Sequence, residues 1–237
     1  MSEIELGAWI VAAWDQFLTE DDKKVMAKRK PRKMHGPGER VALLLVDMQV
    51  TAMGKDMPIW EQLDEFPGAC GPHAWKSIPY QQKLLAAARA AGVPVIYSKH
   101  LFKDYMGLPH AEPTSVFSDK NFRSEIPEEV AMQPGDYLVE KQTPSCFVLT
   151  NLPLMLRNLG VDGLLVVGNS TSGCVRATCV DGEAAGYKMS VIEEGVFDRI
   201  ELSHAAALFD MAFKICDVIS TDQALEIIGP ARTKAAA

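Results

Sequence analysis

Six short runs rich in aliphatic and β-branched residues recur along the chain, separated by polar residues, glycine and proline. Nearly continuous apolar runs of this length are typical of strands buried on both faces of a sheet. The pattern therefore predicts six buried strands, at residues 41–46, 93–98, 136–141, 163–168, 187–192 and 215–220.

Segments of helical composition lie between these runs. Several end at a glycine, namely Gly92, Gly160 and Gly186, and a glycine just past the last turn is a common helix terminator. Repeated strand, helix and strand units imply a parallel sheet with right-handed crossovers. We expect an α/β fold of three layers, with a central, mainly parallel six-stranded sheet and helices at residues 81–91, 152–159, 175–185 and 203–213.

Two regions do not follow this alternation. Residues 1–35 predict an N-terminal helical extension, with a helix over about residues 4–28, and residues 36–237 form the predicted catalytic domain. The extension could pack on the core or on a neighbouring subunit. Residues 99–135 are rich in proline and lack periodicity, which is typical of loops that wall or cover a site.

Composition limits the kinds of partner. The formal net charge is -7, and the one basic cluster, KRKPRK at residues 28–33, is too short for a nucleic-acid surface. No apolar run approaches the roughly 20 residues that cross a bilayer. Five cysteines without paired spacing, and no signal-peptide pattern, favour a reduced, cytoplasmic protein. We therefore expect neither a nucleic-acid nor a membrane partner.

Cys174 lies where a parallel sheet presents reactive groups. The run GLLVVG leads through a polar turn to Cys174 and a predicted helix, and ligands bind beyond the carboxyl ends of such strands. The first turn of a helix favours a thiolate, and its N–H groups can hold an oxyanion. The alternative is a packing cysteine, which is our interpretation of Cys146, Cys179 and Cys216. For Cys70 the sequence does not decide between a reactive and a packing role.

Two charged residues also end predicted strands. Asp47 follows the first run, in LLLVDMQ, and a carboxylate there can accept a thiol proton and later return it to a leaving amine. Lys141 ends the third run, in DYLVEK, and an ammonium group there would stabilise both a carboxylate and a thiolate. Considered alone, Asp47 has the alternative of a loop-capping aspartate, and Lys141 that of an exposed lysine at a strand end. With Cys174 they predict a catalytic set.

Three segments in this order carry a resemblance to a known family: LLLVDMQ, VEKQTPSCFVLTNL and VVGNSTSGCVRATCVDGEAAGY. The chain resembles the isochorismatase-like cysteine hydrolases over roughly residues 40–222, and TSGCVRAT is similar to their N-carbamoylsarcosine amidohydrolase branch. The resemblance implies that Asp47 is the proton shuttle, Lys141 its electrostatic partner and Cys174 the nucleophile. It also implies a homo-oligomer, either a dimer or a tetramer.

The resemblance extends to the surroundings of the nucleophile. It implies a cis peptide between Asn169 and Ser170, and an oxyanion hole formed by the backbone N–H groups of Ser170 and Cys174. In the carbamoylsarcosine branch an arginine helps to hold the substrate carboxylate, and this maps to Arg199, whose planar guanidinium suits that task. A surface arginine at a helix start is the alternative. Thr171 is a further substrate-binding candidate.

Neither a metal nor another cofactor is expected. The nicotinamidase branch of the family carries an Asp-x-His metal-binding motif, and the corresponding segment here, SKHLFKDY, has only His100 and Asp104. His100 follows the second predicted strand and is a candidate for lining the pocket. Trp75, in a predicted loop, and Phe117 are candidates for apolar walls.

These residues predict a cysteine-dependent amidohydrolase of the N-carbamoylsarcosine amidase type. It would cleave a terminal amide or carbamoyl C–N bond of a small, carboxylate-bearing substrate and release ammonia. A maleamate or ureidoacrylate amidase, and a catalytically silent oligomeric scaffold of the same fold, are the alternatives. A vinyl ether hydrolase of the isochorismatase type fits less well, because it needs no cysteine nucleophile.

Overall fold

A six-stranded parallel sheet lies at the centre of the protein. The computed structural model describes residues 13–29, 33–102 and 115–230. The strand order is β3-β2-β1-β4-β5-β6, and every neighbouring pair is parallel, which confirms the predicted α/β sheet. The strands are β1 Val41–Val46, β2 Val95–His100, β3 Tyr137–Lys141, β4 Gly163–Asn169, β5 Lys188–Phe197 and β6 Asp217–Ile219.

Helices cover both faces of the sheet and complete the three predicted layers. They are α1 Glu20–Lys28, α2 Val50–Met53, α3 Pro72–Ala91, α4 Leu152–Leu159, α5 Arg176–Ala184, α6 Glu201–Asp210 and α7 Thr221–Ile228. Because successive strand residues point to opposite faces, Ala42, Leu44 and Val46 pack with α4, α5 and α6, whereas Leu43 and Leu45 pack with α3 and α7. Each fully buried leucine contributes about 1.5–3 kcal/mol.

Some element boundaries differ from the prediction. The helix α3 begins at Pro72, nine residues before the predicted start, because a proline fits the first helical position and Pro79 is accommodated within the helix. Trp75 is therefore helical, and its predicted place in a loop is wrong. The strand β5 continues past residue 192 through two glutamates, and α7, which was not predicted, begins with a capping box at Ser220.

The N-terminal extension is not one continuous helix. Among its described residues, a short 3-10 helix at Asp15–Phe17 is followed by extended backbone at Thr19, which caps α1. The predicted helix over residues 4–28 is therefore confirmed at Glu20–Lys28 and wrong at residues 13–19, and residues 1–12 lie outside the described ranges. Trp14 is buried in the core beside α6, and the backbone N–H of Ala13 donates to Glu193. This part of the extension packs on its own core.

The segment predicted as an irregular wall begins later than expected, because β2 continues to His100. Its described part contains two 3-10 helices, Phe122–Ser124 and Glu128–Val130. Residues 103–114, with Asp104 among them, lie outside the described ranges. Within those ranges, no helix is both long enough and apolar enough to span a membrane.

Candidate active site

Three strand ends bring Asp47, Lys141 and Cys174 together. Asp47 follows β1, Lys141 ends β3, and Cys174 lies in the turn between β4 and α5. The Nζ of Lys141 is 2.6 Å from Oδ2 of Asp47 and 3.4 Å from Sγ of Cys174. It also donates to the Thr143 carbonyl oxygen at 3.1 Å. Lys141 thus lies between a carboxylate and a thiol, with all three of its donors directed at acceptors.

Ser98 and Asn169 hold Asp47 in place. The Ser98 hydroxyl donates to Oδ1 of Asp47 at 2.7 Å and accepts from the Asp47 backbone N–H at 3.0 Å. The side-chain amide of Asn169 donates to the Asp47 carbonyl oxygen at 2.6 Å. Sequence reasoning missed Ser98. A polar residue near the end of an otherwise apolar strand was the signal that could have found it.

The turn that carries Cys174 is fixed at both ends. The peptide bond between Asn169 and Ser170 is cis, as the family resemblance implied, and the turn Thr171–Val175 that follows is π-helical. A side chain at Gly168 would bring its Cβ within 2.2 Å of the Val46 carbonyl oxygen. Glycine therefore lets β4 approach β1 closely at the edge where Asp47 and this turn begin.

Asp198 anchors the same turn from the end of β5. Its Oδ2 accepts from the backbone N–H of Ser172 at 2.8 Å and from the Ser172 hydroxyl at 2.7 Å, while Oδ1 accepts from the backbone N–H of Arg199. The carboxylate is buried, so these hydrogen bonds also satisfy its charge. Asp198 was not among the predicted site residues, although it follows an apolar strand as Asp47 does.

The thiol of Cys174 is held in its protonated form. Burial, and then the negative charge of Asp47, raise its pKa to about 12, although Lys141 opposes this shift. Burial alone would lower the pKa of Lys141, but Asp47 and the neighbouring thiols outweigh it and raise that pKa. The expected resting thiolate is therefore wrong. A nucleophilic reaction at this thiol would require a base, and the Asp47 carboxylate lies beside it.

We expect alkylation of Cys174 by iodoacetamide to accelerate about tenfold per pH unit from pH 7 to pH 10, because the thiolate fraction rises tenfold per unit below the pKa. Mass spectrometry of the peptide containing Cys174 measures the rate. The alkylation rate of N-acetylcysteine in the same samples should level off at about pH 9, because a free thiol has an ordinary pKa. In Asp47→Asn the alkylation rate should level off at lower pH, because removal of the repelling negative charge lowers the pKa of Cys174. If the alkylation rate of the wild-type protein stopped rising below pH 8, Cys174 would already be a thiolate at neutral pH.

His100 lies beside Asp47, Lys141 and Cys174, which are called the triad below, and Phe117 packs against His100. In the sheet register His100 pairs with Lys141, and a ring nitrogen of His100 lies within 4.8 Å of ligand atoms of both Asp47 and Cys174. The ring centroid of Phe117 is 5.1 Å from that of His100. The side-chain amide of Gln49 bonds both the N–H and the carbonyl oxygen of His100. The second strand thus contributes one side of the site.

The hydrogen bonds of the other substrate-binding candidates go to residues other than Asp47, Lys141 and Cys174. The hydroxyl of Thr171 is buried and lies 2.8 Å from Nδ1 of His204 in α6, so this side chain is engaged with α6 and not with the triad. The indole N–H of Trp75 donates to the Gly54 carbonyl oxygen. Arg199 donates through Nε to the carbonyl oxygen of Gly68, on the loop that precedes α3.

Asp47, His100 and Cys174 are the described residues whose ligand atoms approach one another closely enough for a metal ion. The Lys141 ammonium, however, lies 2.6 Å from the Asp47 carboxylate and 3.4 Å from the thiol. A second cation in this cluster would be repelled by it at short range. The donor set fits a metal poorly, and the expected absence of one stays a prediction.

The remaining cysteines are packing residues. All five are free thiols, and Cys70, Cys146, Cys179 and Cys216 are fully buried. Cys179 is hydrogen-bonded to Cys216, and burial together with that contact raises its pKa. Cys174 is the one cysteine that is not fully buried, which sets it apart from the other four.

Comparison with known proteins shows the family of this chain. The Isochorismatase domain family matches residues 41–223, well over half of the chain. The chain belongs to the isochorismatase family. It is 29% identical to N-carbamoylsarcosine amidase of an Arthrobacter species, over 88% of this chain and 79% of that protein. It is 30% identical to maleamate amidohydrolase of Pseudomonas putida, over 81% of this chain and 88% of that protein.

A solved structure extends the comparison to the fold. A cysteine hydrolase from Pseudomonas syringae pv. phaseolicola superposes with a TM-score of 0.69 at 25% identity, over 86% of this chain and 98% of that one. The predicted family is therefore confirmed. The two relatives named above are hydrolases of non-peptide C–N bonds.

Proposed function

We propose that this protein is a cysteine-dependent amidohydrolase. It cleaves the terminal C–N bond of an amide or carbamoyl group on a small substrate that also carries a carboxylate, and it releases ammonia. The observation that carries the proposal is the buried Lys141 ammonium between the Asp47 carboxylate and the Cys174 thiol. Asp47, Lys141 and Cys174 are the catalytic residues.

The reaction begins with proton transfer from the thiol to Asp47, while Sγ forms a bond to the carbonyl carbon. The Lys141 ammonium stabilises the negative charge on the Asp47 carboxylate and on the Cys174 thiolate as the proton passes between them. The backbone N–H groups of Ser170 and Cys174 donate to the oxyanion. When the intermediate collapses, the C–N bond breaks and Asp47 gives its proton to the leaving nitrogen, so ammonia departs. Water then attacks the carbonyl carbon of the acyl-enzyme while Asp47 takes its proton. The bond from that carbon to Sγ breaks, the acid product leaves, and Asp47 returns the proton to Sγ.

The substrate class follows from Arg199 and from the relatives. N-Carbamoylsarcosine and maleamate, the compounds named for two relatives, each join a terminal amide or carbamoyl group to a carboxylate. We assign the carboxylate to Arg199, whose guanidinium is anchored by Nε to Gly68 at the carboxyl edge of the sheet. A carbamoyl amino acid of the N-carbamoylsarcosine type is the first candidate, and maleamate or ureidoacrylate is the second, since ureidoacrylate amidohydrolases are also relatives.

Ammonia release from a small panel of compounds tests this function. The panel contains N-carbamoylsarcosine, other N-carbamoyl amino acids, maleamate, ureidoacrylate and nicotinamide, with the Cys174→Ala protein as the blank. We expect Cys174-dependent release from one of the carboxylate-bearing compounds and little from nicotinamide, which has no carboxylate. Release from nicotinamide alone would remove the role of Arg199. No release from any compound would favour the silent scaffold.

Two further proposals concern the cellular compartment and the oligomeric state of the protein. Five free thiols fit a reduced compartment, and we place the protein in the cytoplasm. We also propose that it assembles as a homo-oligomer, either a dimer or a tetramer. Size-exclusion chromatography with light scattering measures the mass directly.

A further inference from the structure

His100 occupies a place in the site that the catalytic steps leave without a role. It ends β2, pairs in register with Lys141, and its ring lies against Phe102 and Phe117, with centroid distances of 5.3 Å and 5.1 Å. One of its ring nitrogens is within 4.8 Å of the reacting atoms. The ring is therefore held by its neighbours at the edge of the space that a scissile group would occupy.

The hydrogen bonding of the ring assigns its tautomer. The backbone carbonyl of Gln142 accepts a hydrogen bond from the ring, and Nε2 is buried without a partner among the described residues. The bond to Gln142 therefore belongs to Nδ1. Burial and the positive charge of Lys141 lower the pKa of His100, so the ring is neutral at pH 7. A neutral ring that donates through Nδ1 presents a lone pair at Nε2.

The side chains of Lys141 and Asp47 already have hydrogen-bond or ionic partners. The three donors of Lys141 are directed at Asp47, Thr143 and Cys174, and the turn before the thiol supplies backbone N–H groups. The carboxylate oxygens of Asp47 already accept from Ser98 and Lys141. A scissile primary amide brings two N–H donors into this space, and a buried N–H without an acceptor is costly.

We propose that Nε2 of His100 accepts a hydrogen bond from the amino group of the scissile amide or carbamoyl substrate. His100 thereby selects substrates whose leaving group is an NH2 group over the corresponding methyl esters, which have no N–H to donate. This inference rests on the proposed function, because it assigns a partner to the leaving nitrogen. It makes His100 a specificity residue, whereas the nicotinamidase pattern would use a histidine of this region for a metal.

Binding of matched substrate pairs tests the inference. The ligands are the primary amide that the wild type turns over and its methyl ester, for example maleamate and monomethyl maleate. They are titrated calorimetrically into the Cys174→Ala protein, which binds without turnover. We expect the amide to bind about 5- to 50-fold more tightly than the ester. Addition of His100→Phe, which keeps an aromatic ring beside Phe102 and Phe117, should reduce this ratio to within about threefold.

A second variant separates hydrogen bonding from packing. His100→Gln keeps an acceptor on the side chain, and we expect it to retain most of the amide preference that His100→Phe loses. The ratio of two dissociation constants in one sample does not depend on the fraction of folded protein. A ratio that His100→Phe leaves unchanged, in an enzyme that releases ammonia, overturns this inference alone. Absence of Cys174-dependent release from the whole panel overturns the proposed function and the inference together.

Discussion

Replacing Cys174 by alanine is expected to lower kcat for ammonia release by at least about 10⁴-fold while the protein remains folded. The thiol is the group that forms the bond to the carbonyl carbon in the proposed mechanism, and Asp47 and Lys141 have no nucleophile to assist without it. Cys174 is intermediate in exposure, so removal of its sulfur leaves no fully enclosed cavity in the core. Initial rates with the active panel compound, together with thermal unfolding, measure both effects.

A matched cysteine provides the control for that experiment. Cys70 is fully buried, lies outside the triad, and burial raises its pKa to about 12, as it does for Cys174. We expect Cys70→Ala to keep kcat within about threefold, because substitutions away from the reacting atoms leave transition-state stabilisation intact. Equal losses in the two variants would mean that the thiol of Cys174 is not the nucleophile.

Replacing Lys141 by methionine is expected to lower the free energy of unfolding by about 3–5 kcal/mol, because the variant leaves the buried Asp47 carboxylate without its counter-charge. Methionine preserves much of the side-chain length, so the effect comes mainly from charge. Urea denaturation followed by fluorescence gives the free energy. We also expect ammonia release to fall to the level of the Cys174→Ala protein, because proton transfer to and from Asp47 loses its electrostatic partner.

Two further variants determine whether the loss of stability comes from the buried pair. Asp47→Asn combined with Lys141→Met removes both charges, and we expect it to recover most of the lost stability without recovering activity. The exposed pair of Lys55 and Glu65 has the same separation of 2.6 Å. Lys55→Met should cost at most about 1 kcal/mol. If Lys141→Met cost no more than Lys55→Met, the buried pair would not contribute to stability as argued.

The strands could be located from the sequence because burial on both faces leaves a local signal. The six apolar runs each became a strand, and the polar residues that follow β1 and β4 or end β3 became the triad. The N-terminal helix was wrong over residues 13–19 because its apolar pattern runs through Trp14, which packs on the distant residues of α6. The start of α3 was missed because prolines usually interrupt a helix, and Pro72 and Pro79 both belong to this one.

The sequence by itself determined the α/β fold, and it predicted that Asp47, Lys141 and Cys174 meet at one edge of the sheet. Strand periodicity and the residue types at strand ends are local properties of the chain. Only the tertiary structure decided the protonation of Cys174, the anchoring by Ser98 and Asp198, and the engagement of the Thr171 hydroxyl with α6. These depend on burial and on contacts between residues far apart in the chain, which no local pattern records.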